Sequence, residues 1–203
     1  MSADHFFVLG ATHHTAPIEV RERLAVDAGT AEALRGELAS IPGLREFTLV
    51  NTCNRVEFYG VATSPSAAVE VQARFCARQR FTAAEFEQFR MSLSGFDAVR
   101  HLLEVTAGLD SQMLGETEIL GQVKDAYGAA QARGQTGPVL NRVFQKAFQA
   151  AKHVRTDTAI SSGQVSVANV AVDLALNIFG SLAKTRILLL GAGDIGEKTA
   201  KAF

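Results

Sequence analysis

Two patterns of hydrophobic and polar positions divide the chain. As far as about Ser94, short apolar runs are bounded by glycine or polar turns, which indicates strands alternating with helices. Four strands are predicted, at His5–Gly10, Glu46–Val50, Val56–Val61 and Gln88–Leu93. Helices are predicted between them, through Leu24, over Ala31–Ala39 and from Pro65 onward, and Thr82–Glu85 has the form of a capping box. This order predicts an α+β N-terminal domain, a βαββαβ-like sandwich with helices on one face.

Beyond Ser94 the apolar positions recur every three or four residues, which is typical of helices. Helices are predicted from Phe96 to Gly108, from Glu116 to Ala132 and from Val139 through Val154. The polar, turn-rich stretch that follows predicts a hinge at 157–163, so that residues 1–156 form one domain and residues 164–203 begin a second. In this second part Val165–Phe179 is predicted to be a buried helix and Arg186–Leu190 a buried parallel strand.

A glycine-rich loop follows that predicted strand and precedes a predicted helix. Its residues are Gly191, Ala192, Gly193, Asp194, Ile195 and Gly196. In the GxGxxG pattern the glycines allow a tight turn, close approach to a pyrophosphate and close helix packing, and the helix N-terminus favours phosphate. The loop predicts a dinucleotide site at the beginning of an α/β Rossmann-like domain. Because such a domain needs further strands and a ribose-reading residue about 20 residues onward, we expect these residues to be the N-terminal part of a longer protein that alone binds nucleotide weakly.

Composition narrows the class of protein. Of the 203 residues 47% are hydrophobic and 20% are charged, and the net charge of −1 excludes a global basic field for nucleic acid. The two cysteines form no disulfide framework, the N-terminus does not resemble a signal peptide, and the apolar runs are too short to cross a bilayer. We expect a soluble cytoplasmic protein without a membrane partner.

The stretch Asn51–Arg55 is the strongest candidate for chemistry. It places Cys53 between two predicted strands, where a thiol is exposed enough to react. Arg55 supplies a positive charge that favours the thiolate and a planar fork that can bind a carboxylate. A small buried cysteine beside a surface arginine remains the alternative interpretation of this stretch.

A second polar cluster links two predicted helices, from Gly108 to Lys124. Ser111 and Gln122 can hydrogen-bond an amine or a carboxylate, and Glu116 can pair with an ammonium group. An ordinary capped helix junction is the alternative, with Asp110 or Ser111 as the cap. His101 lies between apolar neighbours, a position that favours a core residue, and the other histidines show no metal-ligand spacing.

Taken together, these motifs resemble the glutamyl-tRNA reductase family. The resemblance extends in order over Leu9–Pro17, Asn51–Arg55, Gly108–Lys124, Leu140–Thr156 and Gly191–Gly196. It implies that Cys53 attacks the ester of glutamyl-tRNA, that a thioester forms, and that NADPH reduces it to glutamate-1-semialdehyde, the first step of tetrapyrrole synthesis. The glutamyl group would be held by Thr52, Asn54, Arg55, Ser111, Glu116, Thr117, Glu118 and Gln122. His101 would act near the reaction centre and Gly191–Gly196 would hold the NADPH pyrophosphate.

This chain differs from many members of the family at several positions, and two other functions compete with this interpretation. The family often has proline and glutamine where this chain has Thr117 and Glu118, and lysine where it has His14. Members continue into the rest of the nucleotide domain and a helical domain through which the full-length protein is expected to form a homodimer. The rival functions are another thiol-dependent acyl dehydrogenase and a non-enzymatic binding module with a structural cysteine.

Overall fold

The computed structural model describes residues 6–160, 167–191 and 193–203. In chain order its elements are β1 Phe6–Thr12, α1 Ile18–Leu24, α2 Ala28–Ala39, β2 Leu44–Asn51, β3 Arg55–Ala62, α3 Pro65–Gln79, α4 Ala83–Glu87, β4 Met91–Ser94, α5 Gly95–Ala107, α6 Glu118–Ala132, α7 Pro138–Asp157, α8 Val167–Phe179 and α9 Asp194–Ala202. The predicted βαββαβ-like order is confirmed, although β4 begins three residues later than predicted.

The four strands form one antiparallel sheet, in which they lie side by side in the order β2-β3-β1-β4. The central pair is closely joined at Gly10 of β1, where a Cβ atom would lie 2.0 Å from the carbonyl oxygen of Val56. The β2–β3 hairpin carries the segment between Asn51 and Arg55 at its turn. The sheet topology therefore places Cys53 at one end of the two strands.

Both faces of the sheet are covered by helices. Because side chains alternate along a strand, Phe58 of β3 packs into the core formed with α1–α4, whereas Tyr59 packs into the core formed with α5–α7. The expectation of helices on one face holds for the first four helices only. The amphipathic helices α5–α7 cover the opposite face, so the domain has three layers.

Side-chain oxygens accept hydrogen bonds from the first backbone amides of two helices, α4 and α7. The predicted capping box of α4 is confirmed, since Thr82 and Glu85 each accept from the other's backbone amide. At the start of α7 the buried carboxylate of Glu46 accepts hydrogen bonds from three amides. These amides belong to Gly137, Val139 and Leu140, at 3.0, 3.2 and 2.7 Å. Through this carboxylate, strand β2 holds the N-terminus of α7 against the sheet.

The C-terminal segment departs from two predictions. Helix α8 is present, but Ala168 is its only buried residue in the described range, so the prediction of a buried helix is wrong. Residues 186–190 form no strand, and Leu188 and Leu190 are more than four-fifths exposed. A strand exists only when a neighbour pairs with its backbone, and this segment finds none in the described chain.

The division into two domains and the hinge at 157–163 stay predictions. Helix α7 extends to Asp157, one residue into the predicted hinge at 157–163, and residues 161–163 lie outside the described residues, as do residues 165–166 at the predicted start of α8. Among the described residues, every helix is too short or too polar to cross a membrane.

Candidate functional site

A tight turn displays Cys53. The amide of Thr52 donates to the carbonyl of Arg55 at 2.8 Å, and the Thr52 hydroxyl accepts from the amides of Asn54 and Arg55 at 3.2 Å each. Arg21 of α1 fixes the turn from outside, donating to the carbonyl of Cys53 at 2.8 Å and to Oδ1 of Asn54 at 2.7 Å. Thr52 and Asn54 therefore shape the turn, and the Cys53 side chain remains exposed at its tip.

The turn forms one wall of a cleft of about 150 Å³. The opposite wall consists of residues 111–113 and 116 of the connector and the first turns of α6, and Val167 and Ile195 complete the lining. Most of the predicted site residues line the cleft, namely Thr52, Cys53, Asn54, Arg55, Ser111, Glu116, Glu118, Gln122 and Ile195. Thr117 and His101 do not line it in the described part of the chain.

Arg55 is buried and held by protein carboxylates. Its Nη1 atom lies 3.0 Å from Oε1 of Glu57 and 2.9 Å from Oδ2 of Asp110, and its Nη2 atom donates to the Asp110 carbonyl at 2.6 Å. Burial alone would lower the pKa of Arg55, but the negative charge of Glu57 and the contacts with Tyr59 and Asp110 together raise that pKa above its ordinary value. The Nε atom has no hydrogen-bond partner in the described chain. The guanidinium is therefore held rigidly behind the cleft, and the carboxylates of Glu57 and Asp110 balance its charge.

Glu57 is the centre of the buried network behind the cleft. Besides Arg55, it binds Nε2 of His101 at 2.9 Å and accepts from the hydroxyl of Tyr59 at 2.5 Å. Burial would raise the pKa of Glu57, but Arg55 and His101 hold it below its usual range. Burial also raises the pKa of Tyr59 well above its ordinary value. His101, predicted near the reaction centre, thus reaches the cleft only through Glu57 and Arg55.

Asp110 is a site residue that the sequence interpretation treated only as a possible helix cap. Asp110 contacts both Arg55 and His14. The Nε2 atom of His14 lies 3.1 Å from Oδ1 of Asp110. Glu57 was missed as well, although a signal for it exists: Arg55, Glu57 and Tyr59 alternate on β3 and therefore share one face. No sequence pattern linked Asp110 to Arg55, 55 positions away.

Glu116, predicted to bind an ammonium group, is engaged with the protein. Its carboxylate accepts from the amides of Glu118 at 2.8 Å and Ile119 at 3.1 Å, and from the Ser111 hydroxyl at 3.2 Å. Its carboxylate therefore caps the first amides of α6, whose N-cap position is Thr117. This agrees with a capped helix junction, although neither Asp110 nor Ser111 is the cap. Gln122, by contrast, is exposed along the cleft.

The glycine loop reaches the same cleft. Gly191 has φ +115°, and a Cβ atom at Gly196 would lie 2.5 Å from the Gly191 carbonyl, so both positions require glycine. Lys198 of α9 binds Glu118 of α6 at 2.9 Å, which ties this loop to the cleft, and Ile195 lines the cleft. Ala192 of this loop lies outside the described residues. Across the described ranges no group of three or more acidic, histidine or cysteine residues forms a metal site.

Comparisons with known proteins identify a family. Residues 9–158 match the family described as glutamyl-tRNAGlu reductase, N-terminal domain. The chain is 43% identical over 199 residues to "Glutamyl-tRNA reductase 2" of Koribacter versatilis, covering 98% of this chain and 45% of that protein. It is 41% identical to "Glutamyl-tRNA reductase" of Syntrophotalea carbinolica, covering 97% of this chain and 45% of that protein.

Among solved structures, glutamyl-tRNA reductase from Methanopyrus kandleri matches with a TM-score of 0.72 and 35% identity, over 98% of this chain and 46% of that chain. The chain spans about half the length of the curated relatives named here. The match of the family's N-terminal domain extends over most of the chain, from β1 to the end of α7. The chain therefore belongs to the glutamyl-tRNA reductase family.

Proposed function

We propose that this chain is the thiol-bearing, glutamate-binding part of an oxidoreductase that converts glutamyl-tRNA to glutamate-1-semialdehyde with NADPH. One observation carries the proposal: the exposed thiol of Cys53, the guanidinium of Arg55 and the glycine-loop residue Ile195 line the same cleft. A nucleophile, a carboxylate receptor and the beginning of a dinucleotide loop are the three parts that this reaction requires.

The first step uses only residues of this chain. The Cys53 thiolate attacks the carbonyl carbon of the aminoacyl ester and the bond from that carbon to the terminal ribose oxygen breaks. The ribose oxygen takes a proton from water, and the tRNA leaves with a free hydroxyl. The glutamyl group remains on sulfur as a thioester. A thioester accepts hydride more readily than an ester, and covalent capture divides one barrier into two.

Recognition of the glutamyl side chain falls to the wall opposite the thiol and to Arg55. Arg55 has one donor, Nε, without a partner in the described chain and can offer it to the side-chain carboxylate, while Gln122 and Ser111 offer hydrogen bonds to the α-amine. Thr52 and Asn54 contribute by holding the turn, and Glu116 by capping α6. His101 acts as a positioning residue, since its contact with Glu57 orients the carboxylate that holds Arg55.

The glycine loop is the element proposed to hold the cofactor. Residues 191–196 would bind the pyrophosphate of NADPH, which when bound supplies the hydride that reduces an acyl group to an aldehyde. Ile195 lines the cleft at this end with an apolar side chain.

The test uses the full-length protein, glutamyl-tRNA carrying radiolabelled glutamate, and no NADPH. We expect wild-type protein to retain label through denaturing electrophoresis, and Cys53→Ala to retain none. Cys76→Ala is the matched control, because that thiol is buried in α3 and should not react. Labelling of Cys53→Ala at the wild-type level would contradict the proposal.

A further inference from the structure

One side chain of α1 holds the Cys53 turn from outside. The Nε atom of Arg21 donates to the carbonyl of Ala16 at 3.2 Å, and its Nη1 atom donates to the carbonyl of Cys53 at 2.8 Å and to Oδ1 of Asn54 at 2.7 Å. The amide of His13, just after β1, donates to the carbonyl of Asn54 at 2.9 Å. The planar guanidinium therefore joins the segment before α1 to the peptide that carries the thiol.

The charge of Arg21 has no acidic partner. Its acceptors are two backbone carbonyls and an amide oxygen, all of them neutral, and within the described residues no carboxylate lies in ion-pair distance of the guanidinium. The acidic residues of α1, Glu19 and Glu22, are exposed. Neither is three or four positions from Arg21, the spacing at which a helix brings side chains together. Arg21 therefore contributes an unbalanced positive charge at the turn.

The other charged groups near the thiol are already compensated. Arg55 is held between the carboxylates of Glu57 and Asp110. Of the two carboxylates that line the cleft, Glu116 accepts from the first amides of α6, where the helix dipole offsets its charge, and Glu118 pairs with a lysine of α9. A positive potential at the thiol is therefore expected from the guanidinium on α1 rather than from Arg55.

We propose that Arg21 is a positioning residue for the transfer of glutamate to Cys53 and that it acts in two ways. Its hydrogen bond to the Cys53 carbonyl fixes the peptide from which the thiol extends, so the sulfur stays aligned for attack. Its unbalanced charge attracts an anionic reactant to the thiol, as the glutamyl side chain and the tRNA phosphates are. The role in transfer rests on the function proposed above, whereas the effect of the charge concerns the thiol alone.

The charge is tested on the full-length protein with two alkylating reagents of similar shape, neutral iodoacetamide and anionic iodoacetate. Peptide mass spectrometry gives both rates at Cys53, and N-acetylcysteine amide is the reference thiol. The ratio of the iodoacetate rate to the iodoacetamide rate should be about threefold higher at Cys53 than in the reference, the effect of one unit charge at about 7 Å in water. This ratio should fall to the reference value in Arg21→Gln and stay raised in Arg21→Lys.

A change in the shape of the turn is distinguished from a change in its charge by this ratio, because a displaced thiol alters both rates in the same direction. Arg23→Gln is the matched control: it removes the same charge from the same helix, but its guanidinium lies 4.1 Å from the ring centre of Phe81, so the ratio should not change. In wild type, raising the salt concentration from about 0.05 M to about 0.5 M should lower the ratio, since salt screens the field of exposed charges.

The positioning is tested by transfer of radiolabelled glutamate from glutamyl-tRNA to Cys53 without NADPH. At saturating glutamyl-tRNA the rate should fall about tenfold in Arg21→Gln, the effect of losing a hydrogen bond from a charged group. Arg21→Lys should also slow the step, because an ammonium group cannot reproduce the fork of the guanidinium. The half-saturating concentration of glutamyl-tRNA should rise in Arg21→Gln alone, since Arg21→Lys keeps the charge.

Each outcome separates the role of Arg21 from the function on which it rests. A wild-type ratio no higher than the reference, or an equal ratio in Arg21→Gln, would overturn the effect of the charge, and unchanged transfer in both variants would overturn the positioning. If wild type shows the raised ratio but no glutamate reaches Cys53, the proposed function fails and the charge stands. If Arg21→Gln does not fold, the wild-type ratio, its salt dependence and Arg21→Lys decide.

Discussion

The Nη1 atom of Arg55 lies 2.9 Å from Oδ2 of Asp110, and this ion pair joins strand β3 to the connector before α6. The two residues stand on opposite walls of the cleft region, one on the hairpin that displays Cys53 and the other on the segment leading to Ser111. A second bond, from Nη2 to the Asp110 carbonyl, fixes the backbone of the connector. The width of the cleft therefore depends on this contact.

Asp110→Asn should test that dependence. The substitution removes the charge that faces a buried guanidinium, while the backbone contact remains. We expect the free energy of unfolding to fall by about 1 to 3 kcal/mol, as for a hydrogen bond to a charged group, measured by urea denaturation. Asp157→Asn is the control, since its contact with His153 is exposed and should contribute little. Equal stabilities of Asp110→Asn and wild type would show that the pair does not hold the cleft.

Glu57→Gln should alter the acid stability of the domain. The folded-state pKa of Glu57 is lowered, so its ionised form stabilises the fold above the ordinary carboxyl pKa of about 4.3, and this contribution disappears as pH falls through the folded value. At pH 7 we expect a loss of about 3 to 5 kcal/mol in Glu57→Gln, because the buried guanidinium of Arg55 then keeps only the Asp110 carboxylate.

The pH profile provides the decisive measurement for Glu57. The difference in unfolding free energy between wild type and Glu57→Gln should shrink as the pH falls below about 4. Glu70→Gln, which removes an exposed pair with Arg74 on α3, should cost only about 0.3 to 0.5 kcal/mol. A difference between wild type and Glu57→Gln that persists unchanged at low pH would contradict the assignment.

Local sequence signals predicted most of the fold. Strand alternation and helix spacing involve neighbouring residues, and the capping box of Thr82 and Glu85 lies within one helical turn, so each can be recognised without tertiary structure. The hairpin turn at Cys53 was predictable for the same reason. The strand prediction for Arg186–Leu190 was wrong because a strand requires a partner, and sequence hydrophobicity does not supply one.

The partners of the site residues could not be predicted in this way. Contacts of Asp110 with Arg55 and of Glu46 with the start of α7 span 55 and 91 positions, and only the packed layers determine them. The sequence indicated that Arg55 and Glu116 were polar and well placed for a ligand. It did not indicate that Glu116 would cap α6 or that Arg55 would be buried between two carboxylates.

The two cysteines should differ sharply in reactivity. Cys53 is exposed at a turn, whereas Cys76 is buried and burial raises the pKa of its thiol, so little thiolate is present there at neutral pH. We expect iodoacetamide to alkylate Cys53 at least about tenfold faster than Cys76, measured by peptide mass spectrometry of the folded chain at pH 7. In denaturant the two rates should converge, and equal rates in the folded chain would rule out the exposed-nucleophile interpretation.

Gly115→Ala should disrupt the connector that shapes the cleft. Gly115 has φ +80°, and a Cβ atom there would lie 2.2 Å from the carbonyl oxygen of Ile160, so the new methyl group meets backbone that cannot simply rotate away. The left-handed conformation alone costs roughly 1 to 2 kcal/mol for an L residue. We expect unfolding to become easier by at least that amount, measured by urea denaturation, because the backbone must shift to remove the clash.

The same substitution should also reduce function in the full-length protein. A shift at Gly115 moves the adjoining Glu116, whose carboxylate caps α6 and lines the cleft, so transfer of glutamate to Cys53 should slow. Gly128→Ala is the matched control: it lies within α6, a Cβ atom there meets nothing within 4 Å, and alanine should stabilise the helix by about 0.5 to 1 kcal/mol. If Gly115→Ala retained wild-type stability and transfer rate, the close approach to Ile160 would have no part in holding the cleft.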